Sequence, residues 1–168
     1  MIVLILLLPG VGWAQKEPAF EKSVVDEELF EGFVYFTDAQ QVALKSEKVR
    51  FPSKLDVHQL GREIINTLLA GPSQPNLESL WPKGVKLNAL FIADDGKAYV
   101  DLYVTPEMTK EMDTCLELLT VYSLVNSLTL NILKIKMVKI LVQGKDATTL
   151  AGHLDIEYFY RTNMLIVK

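Results

Sequence analysis

Residues 137–145 read MVKILVQGK, and this stretch decides how the second half of the chain folds. Val138, Ile140 and Val142 recur at every second position, which predicts a core strand with one buried face. Gln143-Gly144 then predicts a tight turn. Residues 149–155, TLAGHLD, follow as a glycine-marked exit from the strand. A strand, a turn and an exit loop are therefore expected at this end of the domain.

Two amphipathic helices are predicted upstream of that strand. Asp56 stands at the N-cap position of a first helix, and Gly71-Pro72 ends it, because glycine can adopt a left-handed cap and proline cannot continue a helix. A long helix over residues 107–132 follows later. Apolar residues recur in both helices at three- and four-residue spacing. They are Leu60, Ile64, Ile65 and Leu68 in the first, and Leu118, Val121, Tyr122, Val125, Leu128 and Ile132 in the second.

The remaining strands complete an α+β pattern. Residues 87–93 and 98–104 flank Asp94-Asp95-Gly96-Lys97, which predicts a hairpin with a type I′ turn. A first strand is expected at residues 32–36, and residues 164–167 predict an edge strand. Residues 38–54 are interpreted as a polar connector, although residues 42–44 could pair with the first strand. The order predicts a single β-α-β-β-α-β domain, with a mixed sheet and helices packed on one face. A loop over residues 73–84 is expected to be pinned by Leu77, Leu80 and Trp81.

Four sequence blocks, taken in order, resemble the GerMN domain, the sporulation and spore-germination domain family. They are residues 68–72 (LLAGP), 98–102 (AYVDL), 119–129 (LTVYSLVNSLT) and 137–155. The resemblance spans roughly residues 57–156. It implies a fold similar to the ring-building-motif domains, and a role related to sporulation or germination in the bacterial envelope. It carries no catalytic residue over to this chain.

The N-terminus predicts export. Residues 1–8 are apolar, and Gly12 and Ala14 suit signal peptidase, so residues 1–14 are interpreted as a signal peptide. The run is too short to span a membrane. Residues 15–30 are predicted to form an N-terminal tether, and residues 31–168 the GerMN-like domain. No cysteine follows the leader, and the single Cys115 excludes an intrachain disulfide and predicts a small buried side chain.

Candidate chemical groups are few and scattered. His58 and His153 lie far apart in sequence, so no metal site is predicted, and His153 is expected to brace the turn after the last strand. Asp101 is either a general base or a carboxylate on an exposed strand face, bonded to a backbone amide. Hydroxyl groups on the long helix lack the turn that activates a nucleophile, and no glycine-rich phosphate loop occurs. These hydroxyls belong to Ser123, Ser127 and Thr129, near Asn126. No catalytic, cofactor-binding or metal-binding residue is therefore assigned.

Two functions remain open. The first is an exported, non-enzymatic binding or assembly domain of the cell envelope, whose partner is an envelope protein or peptidoglycan. The alternative is an enzyme or accessory acting on cell-wall glycan, with Asp101 and a second acid from Asp94 or Asp95. No basic, aromatic-interleaved stripe points to nucleic acid. Weak self-association through residues 33–36 or 164–167 is expected, with Glu31 and Asp38 protecting the first edge so that the dilute protein is a monomer.

Overall fold

The computed structural model describes residues 28–168, and the predicted signal peptide and most of the predicted tether lie outside this range. Three helices and two sheets form the α+β fold that the sequence predicts. In chain order the elements are β1 (Leu29–Thr37), β2 (Leu44–Pro52), α1 (Val57–Ala70), β3 (Lys86–Ile92), β4 (Lys97–Tyr103), α2 (Pro106–Thr109), α3 (Thr114–Asn131), β5 (Met137–Val142) and β6 (Lys145–Asp146). A 3-10 turn, Met164–Ile166, follows near the end of the chain.

A mixed sheet with the strand order β3-β4-β5-β6 carries one half of the core. β4 is antiparallel to β3 and parallel to β5, so the chain must cross over between β4 and β5, and α3 makes that crossover. Ala98, Val100, Leu102, Val138 and Ile140 are all fully buried and point to the same face. The helices pack on that face, as predicted. The strong alternation in β4 and β5 is what made both strands readable from the sequence.

The two hairpin turns of this sheet differ in type. Only Gly96 has a positive φ in the β3–β4 turn, so the predicted type I′ turn is wrong there. The Gly96 N–H bonds to the Ala93 carbonyl, and the Ala93 N–H bonds to the Lys97 carbonyl, which gives a three-residue loop closed by a left-handed glycine. In the β5–β6 turn both Gln143 and Gly144 have positive φ, at 51° and 76°. The type I′ geometry belongs to that second turn.

The helix α1 begins and ends where its capping residues predict. Asp56 accepts hydrogen bonds from the amides of His58 and Gln59, at 2.8 and 2.9 Å, and the Gln59 side chain accepts from the Asp56 amide in return. This reciprocal pair is a capping box. Gly71 ends the helix with a φ of +93° and an extended ψ of 171°, a combination that favours glycine.

The predicted long helix is divided into two. The short α2 ends at Thr109, and Asp113 then caps a new helix by accepting the Leu116 amide at 2.8 Å. The helix α3 is buried on nearly all sides, because sheet strands pack on one side of it and β1 on another. Of the predicted stripe, Val121, Val125 and Leu128 are fully buried and Ile132 is nearly so, whereas Leu118 and Tyr122 are half-buried. Intervening polar residues of the helix are buried as well. The predicted apolar stripe therefore accounts for only part of the buried surface of this helix.

A second, two-stranded sheet replaces the predicted polar connector. β2 pairs antiparallel with β1 in continuous register from Leu29↔Pro52 to Thr37↔Leu44. The first strand is thus not part of the mixed sheet, and it begins at Leu29, inside the predicted tether. Of the possible partner at residues 42–44, only Leu44 belongs to β2. The rest of the strand was not predicted because it reads LKSEKVRFP, in which only Leu44, Glu47 and Phe51 are buried. An edge strand with charged residues on its open side has a weak apolar alternation.

The edge of β1 that was expected to self-associate is covered by α3. Asn131 accepts from the Phe33 amide at 2.9 Å and donates to the Phe33 carbonyl, and Ser127 accepts from the Tyr35 amide at 3.0 Å. Thr37 exchanges two backbone bonds with Glu78. The predicted edge strand at residues 164–167 is also wrong for most of its length, because Met164–Ile166 forms a 3-10 turn and only Val167 makes an isolated parallel bridge, to Leu44. Neither segment offers a free strand edge.

Candidate functional site

A fully buried carboxylate organises the loop that follows β6. Glu117, in the first turn of α3, has no exposed surface. Its oxygens accept four backbone N–H bonds: from Leu150 at 2.8 Å and Ala151 at 2.7 Å on Oε1, and from His153 at 2.8 Å and Leu154 at 3.1 Å on Oε2. Such charge-assisted bonds are about twice as strong as neutral ones. Residues 149–154, here called the Glu117 loop, are therefore fastened to the helix at four points.

His153 braces this loop. Besides its amide bond to Glu117, its ring Nε2 lies 3.0 Å from the Met112 carbonyl oxygen. This contact ties the loop to the segment between α2 and α3. In the structure His153 has the bracing contacts that its position after the last strand predicts. The other histidine, His58, lies in the first turn of α1.

A cavity of about 360 Å³ lies between the Glu117 loop and the chain around α2. It is here called the loop groove. Most of its lining residues are apolar or small. Among the described residues that line it, Lys110 alone carries a charge. The lining consists of Val104, Pro106, Thr109, Lys110, Val142, Ala147, Thr149, Leu150, Ala151 and Gly152. The loop backbone thus forms one wall of a concave surface.

The carboxylates of the glycan-acting alternative are not brought together. Asp101 lies on β4, and its Oδ1 accepts the Gly144 amide at 2.7 Å, which holds the β5–β6 turn. Asp94 and Asp95 lie in the turn before β4, where they pair with Lys134 at 3.1 Å and Lys97 at 2.6 Å. β4 runs four extended residue steps from Lys97 to Asp101, or roughly 13 Å, and Asp95 lies in the turn beyond its start. That is beyond the roughly 5–10 Å between paired glycosidase carboxylates.

The polar side chains of α3 support neighbouring segments. The Ser123 hydroxyl accepts from the Trp81 indole at 3.1 Å, which anchors the loop before β3. Asn126 bonds both backbone groups of Asn163 at 2.9 Å, and Thr129 accepts from Thr162 at 2.8 Å. Leu77, Leu80 and Trp81 are buried, as expected for a pinned loop. None of these hydroxyl groups has the surroundings of an activated nucleophile.

Glu47 is a second buried carboxylate with a structural task. It is 3% exposed, and both of its oxygens accept the Ser73 amide at 3.1 Å, while the Ser73 hydroxyl also bonds to it. The residues after α1 are thereby fastened to β2. Glu47 and Glu117 act alike, since each carboxylate supplies acceptors to the backbone of a loop.

The outer face of the mixed sheet, opposite the helices, carries aromatic side chains. Phe91 is 60% exposed and pairs in register with Tyr99, and the two ring centroids are 6.2 Å apart at 43°. Phe159 meets Tyr99 edge-on at 5.3 Å and 80°, and Tyr103 is 40% exposed on the same face. These four side chains are here called the open face. The Phe91 and Phe159 rings each pack against the Tyr99 ring in a tilted or edge-on arrangement.

Other groups add no reactive centre among residues 28–168. No cluster of three or more metal-ligating side chains occurs in this range, and none of its helices is long and apolar enough to cross a membrane. Cys115 is exposed, so the predicted burial of this thiol is wrong. Burial, together with the nearby Tyr122, Asp155 and Glu117, raises the pKa of Tyr160 to about 12. Its hydroxyl donates to the Asp155 carbonyl.

Sequence reasoning missed Glu117, the residue on which the Glu117 loop depends. One signal was present: an acidic residue at the N-terminal turn of a helix whose other side chains are mostly apolar or small. Its partners, however, lie 33 to 37 positions further along the chain. No local pattern links a helix turn to amides at that separation. The open face was missed for a similar reason, because Phe159 comes from outside the sheet.

Comparison with known proteins agrees with this architecture. The family model described as "Sporulation and spore germination" matches residues 33–148, more than half of the chain. No curated protein sequence matches the chain. Solved structures do. The crystal structure of a "Putative Lipoprotein from Clostridium perfringens" is 26% identical, with a TM-score of 0.56 over 79% of this chain and 87% of that one.

Two structures from Bacillus subtilis show the same fold at 17% identity. The first GerMN domain of the sporulation protein GerM gives a TM-score of 0.60 and covers 80% of this chain and 98% of that one. The tandem GerMN domains of the same protein give 0.61 and cover 79% of this chain and 46% of the tandem chain. Fold and site together define an α+β domain whose buried carboxylates hold loops. The chain belongs to the GerMN family, named for sporulation and spore germination.

Proposed function

We propose that this chain is a non-catalytic binding and assembly domain of the bacterial cell envelope. Its family is named for sporulation and spore germination, and one similar structure bears the name of a lipoprotein. Both descriptions support a place outside the cytoplasm, and so does the predicted signal peptide at residues 1–14. The acids of the catalytic alternative each have a structural partner, which supports binding rather than turnover.

The open face is the observation that carries this proposal. Inward side chains of β4 are fully buried, so its alternate residues, Tyr99 and Tyr103 among them, must point to the other side. No helix of residues 28–168 packs there. Aromatic side chains are enriched at the centre of protein interfaces, whereas charged side chains are depleted there. An exposed aromatic surface of this kind favours an envelope protein as the partner.

A photo-crosslinking residue in place of Phe91 tests this function in the native host. Val42, which is 64% exposed in the β1–β2 turn, is the matched control position. We expect Phe91 to crosslink to a discrete envelope protein and Val42 not to do so. Equal labelling from both positions, or labelling of cytoplasmic proteins alone, would contradict the proposal.

An activity measurement separates binding from catalysis. The purified chain, incubated with peptidoglycan, should release no soluble muropeptides. Asp101→Asn should loosen the β5–β6 turn, because the Asp101 carboxylate accepts the Gly144 amide. It should leave the amount of released muropeptide unchanged from that of the wild type. Reproducible muropeptide release that disappears in Asp101→Asn would instead establish the glycan-acting alternative.

A further inference from the structure

We propose that the loop groove binds the carboxyl-terminal end of a peptide whose last residues are small and apolar. None of the residues that line the groove belongs to the open face, so this site goes beyond the proposed function. Four features of the groove carry the inference: its size, its charge, the direction of its carbonyl groups and the rigidity of its wall.

The groove has the size and surface of a site for a short segment. Its volume of about 360 Å³ lies near the lower end of the roughly 300–1,000 Å³ of small-ligand pockets. Val104, Val142, Ala147 and Leu150 supply an apolar floor. Small apolar side chains fit this floor, because apolar surface is stabilised by removal from water.

The charge at the rim favours an anionic group. Lys110 is the charged side chain in the lining, and its side chain is 68% exposed. The Glu111 carboxylate approaches its ammonium only to 3.9 Å, which is a weak surface pair. A carboxylate at the end of a bound peptide can therefore contact Lys110 without displacing a strong partner.

The loop wall offers hydrogen-bond acceptors. A trans peptide is planar and its C=O points opposite to its N–H. Since the amides of Leu150, Ala151, His153 and Leu154 point at Glu117, the carbonyls of the preceding residues point away from it. Three of those carbonyls belong to Thr149, Leu150 and Gly152, which line the groove. A peptide has N–H donors to meet these acceptors, whereas a fatty acid has none.

The Glu117 loop, which forms the wall of the groove, is ordered without a ligand. Four bonds to a buried carboxylate hold the Glu117 loop, and His153 adds a contact to Met112. Binding to a loop that is already ordered avoids the entropy cost of ordering it. Because the loop amides are bonded to Glu117, the lysine at the rim, rather than backbone N–H groups, contacts the terminal carboxylate of a bound peptide. The rigid wall, the apolar floor and the cationic rim together match such a terminus.

Fluorescence polarisation with a set of labelled hexapeptides tests the site in the full chain. The peptides differ in their last two residues, and each is made with a free carboxylate and with an amide. We expect free carboxylates ending in alanine or valine to bind best. Lys110→Ala and amidation should each weaken binding about three- to fivefold, because each removes the same charge pair. Lys54→Ala, an exposed lysine in the β2–α1 turn, is the matched control and should leave affinity unchanged.

Two further variants make the result decisive. Thr149→Trp fills the groove and should lower affinity more than tenfold, with its melting temperature measured to establish folding. Phe91→Ser should leave peptide affinity unchanged, which separates this site from the open face. The inference is overturned if no member of the set binds, if amidated peptides bind as well as free acids, or if Lys110→Ala binds like the wild type.

Discussion

Replacing Glu117 by glutamine should destabilise the protein far more than its small change in shape suggests. The two side chains have the same size, but glutamine has one acceptor oxygen where glutamate has two. Whichever way the amide turns, its NH₂ group faces two of the four backbone N–H donors, and two hydrogen bonds are lost. A bond to a charged acceptor contributes about 1.5–3 kcal/mol, so the expected loss is about 3–6 kcal/mol.

The loop cannot avoid this loss by moving away. Leu150 and Ile156 belong to the buried core, and exposing either costs about 1.5–3 kcal/mol. Since the total stability of a domain is about 5–15 kcal/mol, urea denaturation will resolve the change easily. Hydrogen exchange should also show faster exchange at the four amides that Glu117 accepts.

A neighbouring glutamate supplies the control. Glu111→Gln makes the same chemical change on a side chain that is 89% exposed, and should shift stability by less than about 0.5 kcal/mol. Equal urea midpoints for Glu117→Gln and Glu111→Gln would refute the reasoning. So would unchanged exchange at the four loop amides, because the Glu117 loop would then not depend on the carboxylate.

Three further predictions concern the core, one tyrosine and the N-terminus. Leu128→Ala should cost about 2–5 kcal/mol because Leu128 is fully buried, while Leu133→Ala, at a site 91% exposed, should cost little; equal urea midpoints would contradict this burial. Tyr160, whose pKa is about 12, should remain protonated when an unfolded tyrosine ionises near pH 10. The contribution of Tyr160 to stability is full below about pH 10 and is lost as the pH rises to about 12. An ultraviolet titration in which every tyrosine ionises near pH 10 would contradict this prediction. N-terminal sequencing of exported protein should find Gln15 first, and an intact leader on all of it would contradict signal cleavage.

Elements with strong local chemistry could be predicted from the sequence. The capping box at Asp56 and the glycine at Gly71 define α1, and both act within a few residues of the helix ends. Alternation in β4 and β5 predicted two buried strands because every second side chain enters the same core. The matched family agrees with the resemblance of the four sequence blocks.

Elements whose character depends on distant partners could not be predicted. The strand β2 looks polar, since only its pairing with β1 and the burial of Leu44 and Phe51 make it a strand. The break between α2 and α3 depends on the N-cap of α3. Asp113 starts a new helix there by accepting the Leu116 amide, although the apolar spacing continues across the break.

The amino-acid sequence by itself determined the α+β class, the first helix and the strands β3, β4 and β5, because periodicity and capping act over a few residues. The GerMN family was indicated separately, by the resemblance of four sequence blocks. Only the tertiary structure decided what the polar side chains do. Glu117 reaches amides more than thirty positions away, and Asp101 holds a turn at Gly144. A carboxylate has the same formula whether it catalyses a reaction or holds a loop. Its partners distinguish the two, and folding brings those partners together.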